Sequence, residues 1–183
     1  TCARCTMHPG YGDFNLLCLF RHTSTFDLYE EISLNYSSPK SSLYAITRDD
    51  NYMILCAAQI SPCWNDPHAS LMKMRQYASE AVEGDAEIII FPEQILTGWD
   101  PRNTSFTTSD FGQLVQDMRS IAKEVSIGLV GSFRENGGEK PRNTCIAIGS
   151  DGSILAKYSK IHLFSPAGED QYYEPGDGLG YFT

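Results

Sequence analysis

The sequence predicts an α/β fold with helices layered on a sheet, and three observations predict it. Over residues 53–183, strand and helix signals alternate as strand, helix, strand, helix, strand and then a hairpin, with Gly, Pro and Asp as punctuation. Glu87 to Phe91 is nearly continuous in apolar residues, as in a strand covered on both faces. Phe111, Leu114, Val115, Met118, Ile121, Ala122 and Val125 recur at helical spacing and make one apolar stripe.

Each element has its own local reason. Met53 to Ile60 is a short, mostly apolar run that fits a buried strand. Asp66-Pro67 then opens a helix, with Asp66 as N-cap and Pro67 at the first helical position. Leu71, Met74, Ala78, Ala81 and Val82 form its apolar face, and Gly84-Asp85 closes it. Glu87 to Phe91 is the second strand. Ser109 is the expected cap of the second helix. Ile127 to Phe133 reads as the third strand. Asn143 to Ile148 and Ile154 to Tyr158 flank Gly149-Ser150-Asp151-Gly152-Ser153, which reads as a hairpin turn.

The chain has 183 residues, 42% of them hydrophobic, enough for one globular domain with a sizeable core. A net charge of −9 argues against nucleic acid or an anionic membrane as partner. Residues 1–52 show no sustained period and are broken by clusters such as Tyr36-Ser37-Ser38-Pro39, so they read as a leader distinct from 53–183. Translation is expected to start at Met53, where the ordered pattern begins. The longest apolar run in the leader, Leu16 to Phe20, is too short for a membrane span or signal-peptide core. A cytoplasmic location with reduced cysteines is the expectation. Cys2, Cys5, Cys18 and His22 have spacing compatible with a zinc finger, but Pro9-Gly10 and Gly12-Asp13 interrupt the segment and ordered apolar positions are lacking. No metal is expected.

Three stretches could carry chemistry. Glu93 stands at the end of the Ile88-Ile89-Ile90-Phe91-Pro92 run. A carboxylate there is expected to be poorly solvated, which would push its pKa toward neutrality and suit a general acid or base. The other reading is a loop glutamate, exposed or paired with an arginine. Lys160 ends a strand and precedes an apolar stretch, so it reads either as a cation facing a cleft, able to hold an anionic intermediate, or as a solvated lysine. His162 reads as structural rather than as a ligand. Gly168 to Asp177 mixes carboxylates with Tyr172 and Tyr173 in a turn-rich segment, which composition alone leaves as a polar loop.

Taken as a set, the Phe91-Pro92-Glu93, Tyr158-Ser159-Lys160 and Gly168-to-Gly176 stretches resemble, in order, the landmarks of the nitrilase superfamily of carbon–nitrogen hydrolases. Phe133-Arg134-Glu135 after Gly131-Ser132, and Arg142-Asn143-Thr144 before a strand, also sit where that family has similar residues. The resemblance covers about residues 53–183. It implies a four-layer αββα sandwich and assembly into homo-oligomers. It also implies a Glu–Lys–Cys mechanism without cofactor. Glu93 would be the general base, Lys160 would stabilise the oxyanion, and Glu169 would support the lysine and help position substrate. The implied substrate is a small amide, carbamoyl compound or nitrile, with neither nucleic acid nor membrane as partner.

The resemblance also implies a nucleophilic cysteine after a strand that begins near Tyr181, beyond the end of this chain. Cys56 and Cys145 lie in expected strands, and Cys63 lies in the loop after the first strand. The chain by itself is therefore expected to be inactive. Two other readings stand beside hydrolysis: an N-acyltransferase of the same superfamily, and a truncated, non-catalytic homologue.

Overall fold

The structure is a computed structural model, and it describes residues 53–182. The expected leader over 1–52 and the zinc spacing of Cys2 to His22 lie outside the described residues. Among the described residues, no helix is long and apolar enough to cross a membrane.

Five strands form one sheet in the order β1-β2-β3-β4-β5. β1 (Leu55–Ala57), β2 (Ile88–Ile90) and β3 (Gly128–Glu135) run parallel. β4 (Arg142–Ile148) and β5 (Ile154–Ser159) add an antiparallel meander. Parallel neighbours need long crossovers, and two helices supply them: α1 (Pro67–Glu83) and α2 (Gln113–Val125). Short turns suffice for β3–β4 and β4–β5. In the second, the Gly149 N–H donates to the Ser153 carbonyl at 2.8 Å and Gly152 takes φ +81, as the expected hairpin requires.

α1 starts and stops where its residues dictate. The Asp66 carboxylate accepts the Ala69 N–H at 2.9 Å, and Pro67 takes the first helical position. Leu71, Met74, Ala78 and Ala81 are buried, whereas Val82 is 39% exposed at the frayed rim of the stripe. α2 departs from expectation at its start. Its N-cap is Gly112, not Ser109, and no side chain caps it. Residues 109–112 instead form a turn closed by the Gly112 N–H on the Ser109 carbonyl at 2.9 Å. Phe111 therefore falls outside the helix and is 80% exposed. The rest of the stripe packs as expected, with Val115, Met118, Ile121 and Ala122 buried.

The pleat sorts the sheet into two faces. Cys56, Ile89, Leu129, Phe133, Ile146 and Ile148 are buried in the core. This face meets the helices: a side chain at Gly131 would come within 3.0 Å of Met118 and 3.6 Å of Met74. Each fully buried aliphatic residue here contributes about 1.5–3 kcal/mol. Ala57, Ile90, Val130, Cys145 and Tyr158 alternate onto the other face and are only half-buried. One helix layer and one sheet, two of the four layers the resemblance implies, are thus present in the described residues.

The strand directions place three chain segments at one end of the sheet. β2 and β5 finish there, and β4, running the other way, begins there. A one-turn 3-10 segment (Ser165–Ala167) and the short α3 (Glu169–Tyr172) follow β5 and fold back onto the same end. Open α/β sheets bind ligands beyond the carboxyl ends of their parallel strands.

Candidate active site

Glu93 reaches this end through a tight turn after β2. The sheet persists to Phe91, whose N–H donates to the Val130 carbonyl at 2.8 Å. Gln94 then takes φ 54, a left-handed conformation costly for a residue with a Cβ. Three hydrogen bonds hold it there. The Gln94 N–H donates to Ser132 Oγ at 2.6 Å, and its carbonyl accepts the Thr97 and Gly98 N–H groups at 3.0 and 2.7 Å. Such local strain persists only where the surroundings enforce it. Here it turns the chain immediately after Glu93.

Four side chains converge on this point. Lys160 Nζ donates to Glu93 Oε1 at 3.0 Å and to Glu169 Oε2 at 2.9 Å. Asn143 Nδ2 donates to the same Glu93 Oε1 at 2.6 Å and to Glu169 Oε1 at 3.1 Å. Two carboxylates are thus bridged twice, once by an ammonium and once by an amide. The Phe164 N–H adds a third donor to Glu169, on Oε2 at 2.7 Å.

Electrostatics keep both charged forms. Burial disfavours the Glu169 carboxylate, but hydrogen bonds from Lys160, the Phe164 N–H and Asn143 outweigh it, and its pKa falls below the usual carboxylate value. Desolvation likewise works against the Lys160 ammonium, yet its hydrogen bonds to Glu169 and Glu93 and their charges raise its pKa. An ammonium has three N–H donors. Two are engaged by the glutamates, which leaves one for an incoming oxygen.

Aromatic groups border the lysine. The Trp99 ring centroid lies 6.0 Å from Lys160 Nζ, at the outer edge of cation–π range, and 6.2 Å from the Phe164 ring. Trp99 Nε1 donates to Glu169 Oε1 at 3.4 Å. The loop that carries Trp99 is fastened from beneath by Arg134, whose guanidinium donates to the Gly98 carbonyl at 2.9 Å and the Ser105 carbonyl at 2.8 Å. Arg134 is 1% exposed. It lies beside Tyr173, whose pKa burial pushes up against the opposing Arg134 charge.

The residues singled out in the sequence, Glu93, Lys160 and Glu169, therefore meet. One expectation is corrected. The Glu93 side chain is 48% exposed rather than poorly solvated, because β2 ends at Ile90 and the turn carries Glu93 past the buried strand. His162 is exposed on the segment after Lys160. Arg134 and Asn143 lie in stretches that match the family resemblance, and Trp99 follows the Glu93 strand, but the sequence assigned none of the three a contact within the site. The signal for Asn143 was its place in Arg142-Asn143-Thr144 before a strand, where the resembled family has similar residues. Among the described residues, no group of three or more His, Cys, Asp or Glu side chains is placed to hold a metal.

No cysteine among the described residues joins the cluster through a hydrogen bond. Cys56 is buried on the helix-facing side, where burial, with the nearby Glu80 charge, pushes its thiol pKa up. Cys145 stands in mid-β4 opposite Ser132 and Tyr158, and burial raises its pKa too. Cys63 lies in the loop after β1, its N–H donating to Ser70 Oγ at 3.0 Å.

Comparison with known proteins meets this geometry. The family model described as carbon-nitrogen hydrolase matches residues 55–183. Human omega-amidase NIT2 is 31% identical over 139 residues, which cover 71% of this chain and 49% of that protein. A probable nitrilase of Schizosaccharomyces pombe is 26% identical, over 70% of this chain and 49% of its own length. The chain spans about half the length of these curated relatives. An amidase from Nesterenkonia sp. superposes with a TM-score of 0.63 at 26% identity, covering 69% of this chain and 49% of that one. A cysteine-to-alanine variant of that amidase, solved in complex with butyramide, matches equally well.

Proposed function

The chain belongs to the carbon–nitrogen hydrolase family, and we propose that it forms the base-and-lysine half of an amidase active site. The observation that carries this reading is Lys160 Nζ held between two carboxylates, 3.0 Å from Glu93 and 2.9 Å from Glu169. Glu93, the more exposed carboxylate, is the general base. Glu169, buried and fully engaged, fixes the lysine. The third Lys160 donor stabilises the oxyanion.

The nucleophile is a thiol from residues beyond Thr183, consistent with the absence of any described cysteine from the cluster. Its proton passes to Glu93 as sulfur attacks the carbonyl carbon of a small amide. The oxyanion forms beside Lys160 and collapses, and the C–N bond breaks as Glu93 returns the proton to the leaving nitrogen. Water then gives a proton to Glu93 and attacks the thioester, releasing the acid and restoring the thiol. Butyramide in the Nesterenkonia amidase supports a short, uncharged amide as substrate class.

Ammonia release from short amides by the full-length protein, with Glu93→Gln in parallel, tests the reading. Turnover in the wild type and loss of about 100-fold or more in Glu93→Gln is expected, since a general base contributes about 10²–10⁴-fold. Wild-type turnover in Glu93→Gln overturns it. An acyltransferase would use the same residues with an amine in place of water, and added amine would then divert the product from acid to amide.

A further inference from the structure

We propose that Asn143 is a positioning residue which, with Lys160, occupies one oxygen of Glu93 and so assigns the other as the oxygen that exchanges protons. The inference rests on Glu93 being the base. Asn143 Nδ2 and Lys160 Nζ both donate to Oε1, at 2.6 and 3.0 Å. Among the described residues no donor reaches Oε2. The side chain is 48% exposed, and Oε2 is the oxygen these two donors leave for an incoming thiol or water.

The same residue touches every other member of the cluster. The second amide hydrogen goes to Glu169 Oε1 at 3.1 Å, and the backbone carbonyl of Asn143 accepts the Lys160 N–H at 2.8 Å. A neutral amide with two hydrogens, 4% exposed, can serve two ionised carboxylates at once. A carboxylate in its place brings only acceptors. With Oε1 doubly engaged, the thiol S–H breaks as an O–H bond forms on Oε2. The neutral Glu93 acid then carries that proton to the leaving nitrogen. Free rotation of the carboxylate would misplace the acceptor, and a misplacement of about 1 Å costs about 100-fold.

The test uses the full-length protein with short-amide turnover and thermal melting as readouts. In Asn143→Ala, kcat is expected to fall about 100-fold with KM little changed, because the base rather than the substrate loses its hold. Asn143→Asp keeps the shape and loses the donors, so it is expected to fail as badly. A merely packing role would show as a lowered melting temperature without a selective loss of kcat. Wild-type kcat in either folded variant overturns the inference while an inactive Glu93→Gln leaves the base reading standing. Loss of the fold in both variants also overturns it, making Asn143 a folding residue. Wild-type turnover in Glu93→Gln removes the base reading and this inference with it.

Discussion

Lys160 Nζ and Glu169 Oε2 lie 2.9 Å apart, although the lysine side chain is 25% exposed and the glutamate completely buried. The pair therefore has a wet side and a dry side. The dry side belongs to Glu169, which accepts from Lys160, Asn143 and the Phe164 N–H. Glu169→Gln keeps the volume and removes the charge. It is expected to cost about 1.5–3 kcal/mol, the range for a hydrogen bond to a charged group. Urea unfolding checks it: the midpoint should fall with an unchanged slope.

The same two groups set a pH window. Glu169 has a pKa below its ordinary value of 4.5, so the native state binds that proton less tightly than the unfolded chain does. Its contribution is present above pH 4.5 and is lost as pH falls through the lowered value. Lys160 is raised above 10.5, so its contribution is present below that pH and is lost as pH rises through the raised value. Unfolding free energy measured across the acid range should decline in the wild type. Glu169→Gln should flatten that decline.

Arg134 is the support of the Trp99 loop. Its guanidinium serves two backbone carbonyls, of Gly98 and Ser105, and its buried Nε has no hydrogen-bond partner among the described residues. Arg134→Met keeps the length but strands the buried Gly98 carbonyl, at an expected cost of about 1–3 kcal/mol, while water can serve the more exposed Ser105 carbonyl. Amide hydrogen exchange in residues 98–105 should accelerate more than in α1.

Gly98 occupies φ +77, and a Cβ there would lie 2.8 Å from the Trp64 ring. Both facts oppose Gly98→Ala, which is expected to destabilise by about 1–3 kcal/mol. A lowered thermal midpoint with loss of Trp64 packing, followed by fluorescence, checks it.

Cys145 is the described cysteine nearest in sequence to the cluster, two residues from Asn143 on the same strand. Burial raises the pKa of its thiol and that of Cys56. Both are expected to resist iodoacetamide at neutral pH in the folded protein, followed by peptide mass spectrometry. Cys145→Ala in the full-length protein is expected to keep amide turnover. Loss of turnover with the fold intact would move the nucleophile into this chain.

The sequence carried the fold where local chemistry decides it. Asp66-Pro67 placed the start of α1, and Gly149 to Ser153 placed the β4–β5 turn. It failed where tertiary context overrides a local signal. Ser109 has a capping side chain, yet the helix begins after Gly112. The meeting of Glu93, Lys160 and Glu169 was legible as an ordered set of motifs. The solvation of Glu93 was not, because it depends on the Gln94 turn, and no glycine there betrays the positive φ. Asn143 stood in a stretch that matches the family, but its role was hidden for a related reason. Its partners lie 50 and 26 positions away, and no local pattern encodes such contacts.

The split of the sheet into crossover and meander strands has a kinetic consequence. Closing β3 on β4 and β4 on β5 takes short loops, whereas pairing β1, β2 and β3 takes loops that span whole helices. Each doubling of loop length adds about 0.6 kcal/mol of closure entropy, and distant pairings slow folding. On loop length alone the meander is expected to form first and the crossover half to dock later. Glu93 arrives with the late half, while Asn143 and Lys160 belong to the early one. On that order the Lys160–Glu93 contact is expected to form last, which would make it a marker for the completion of folding.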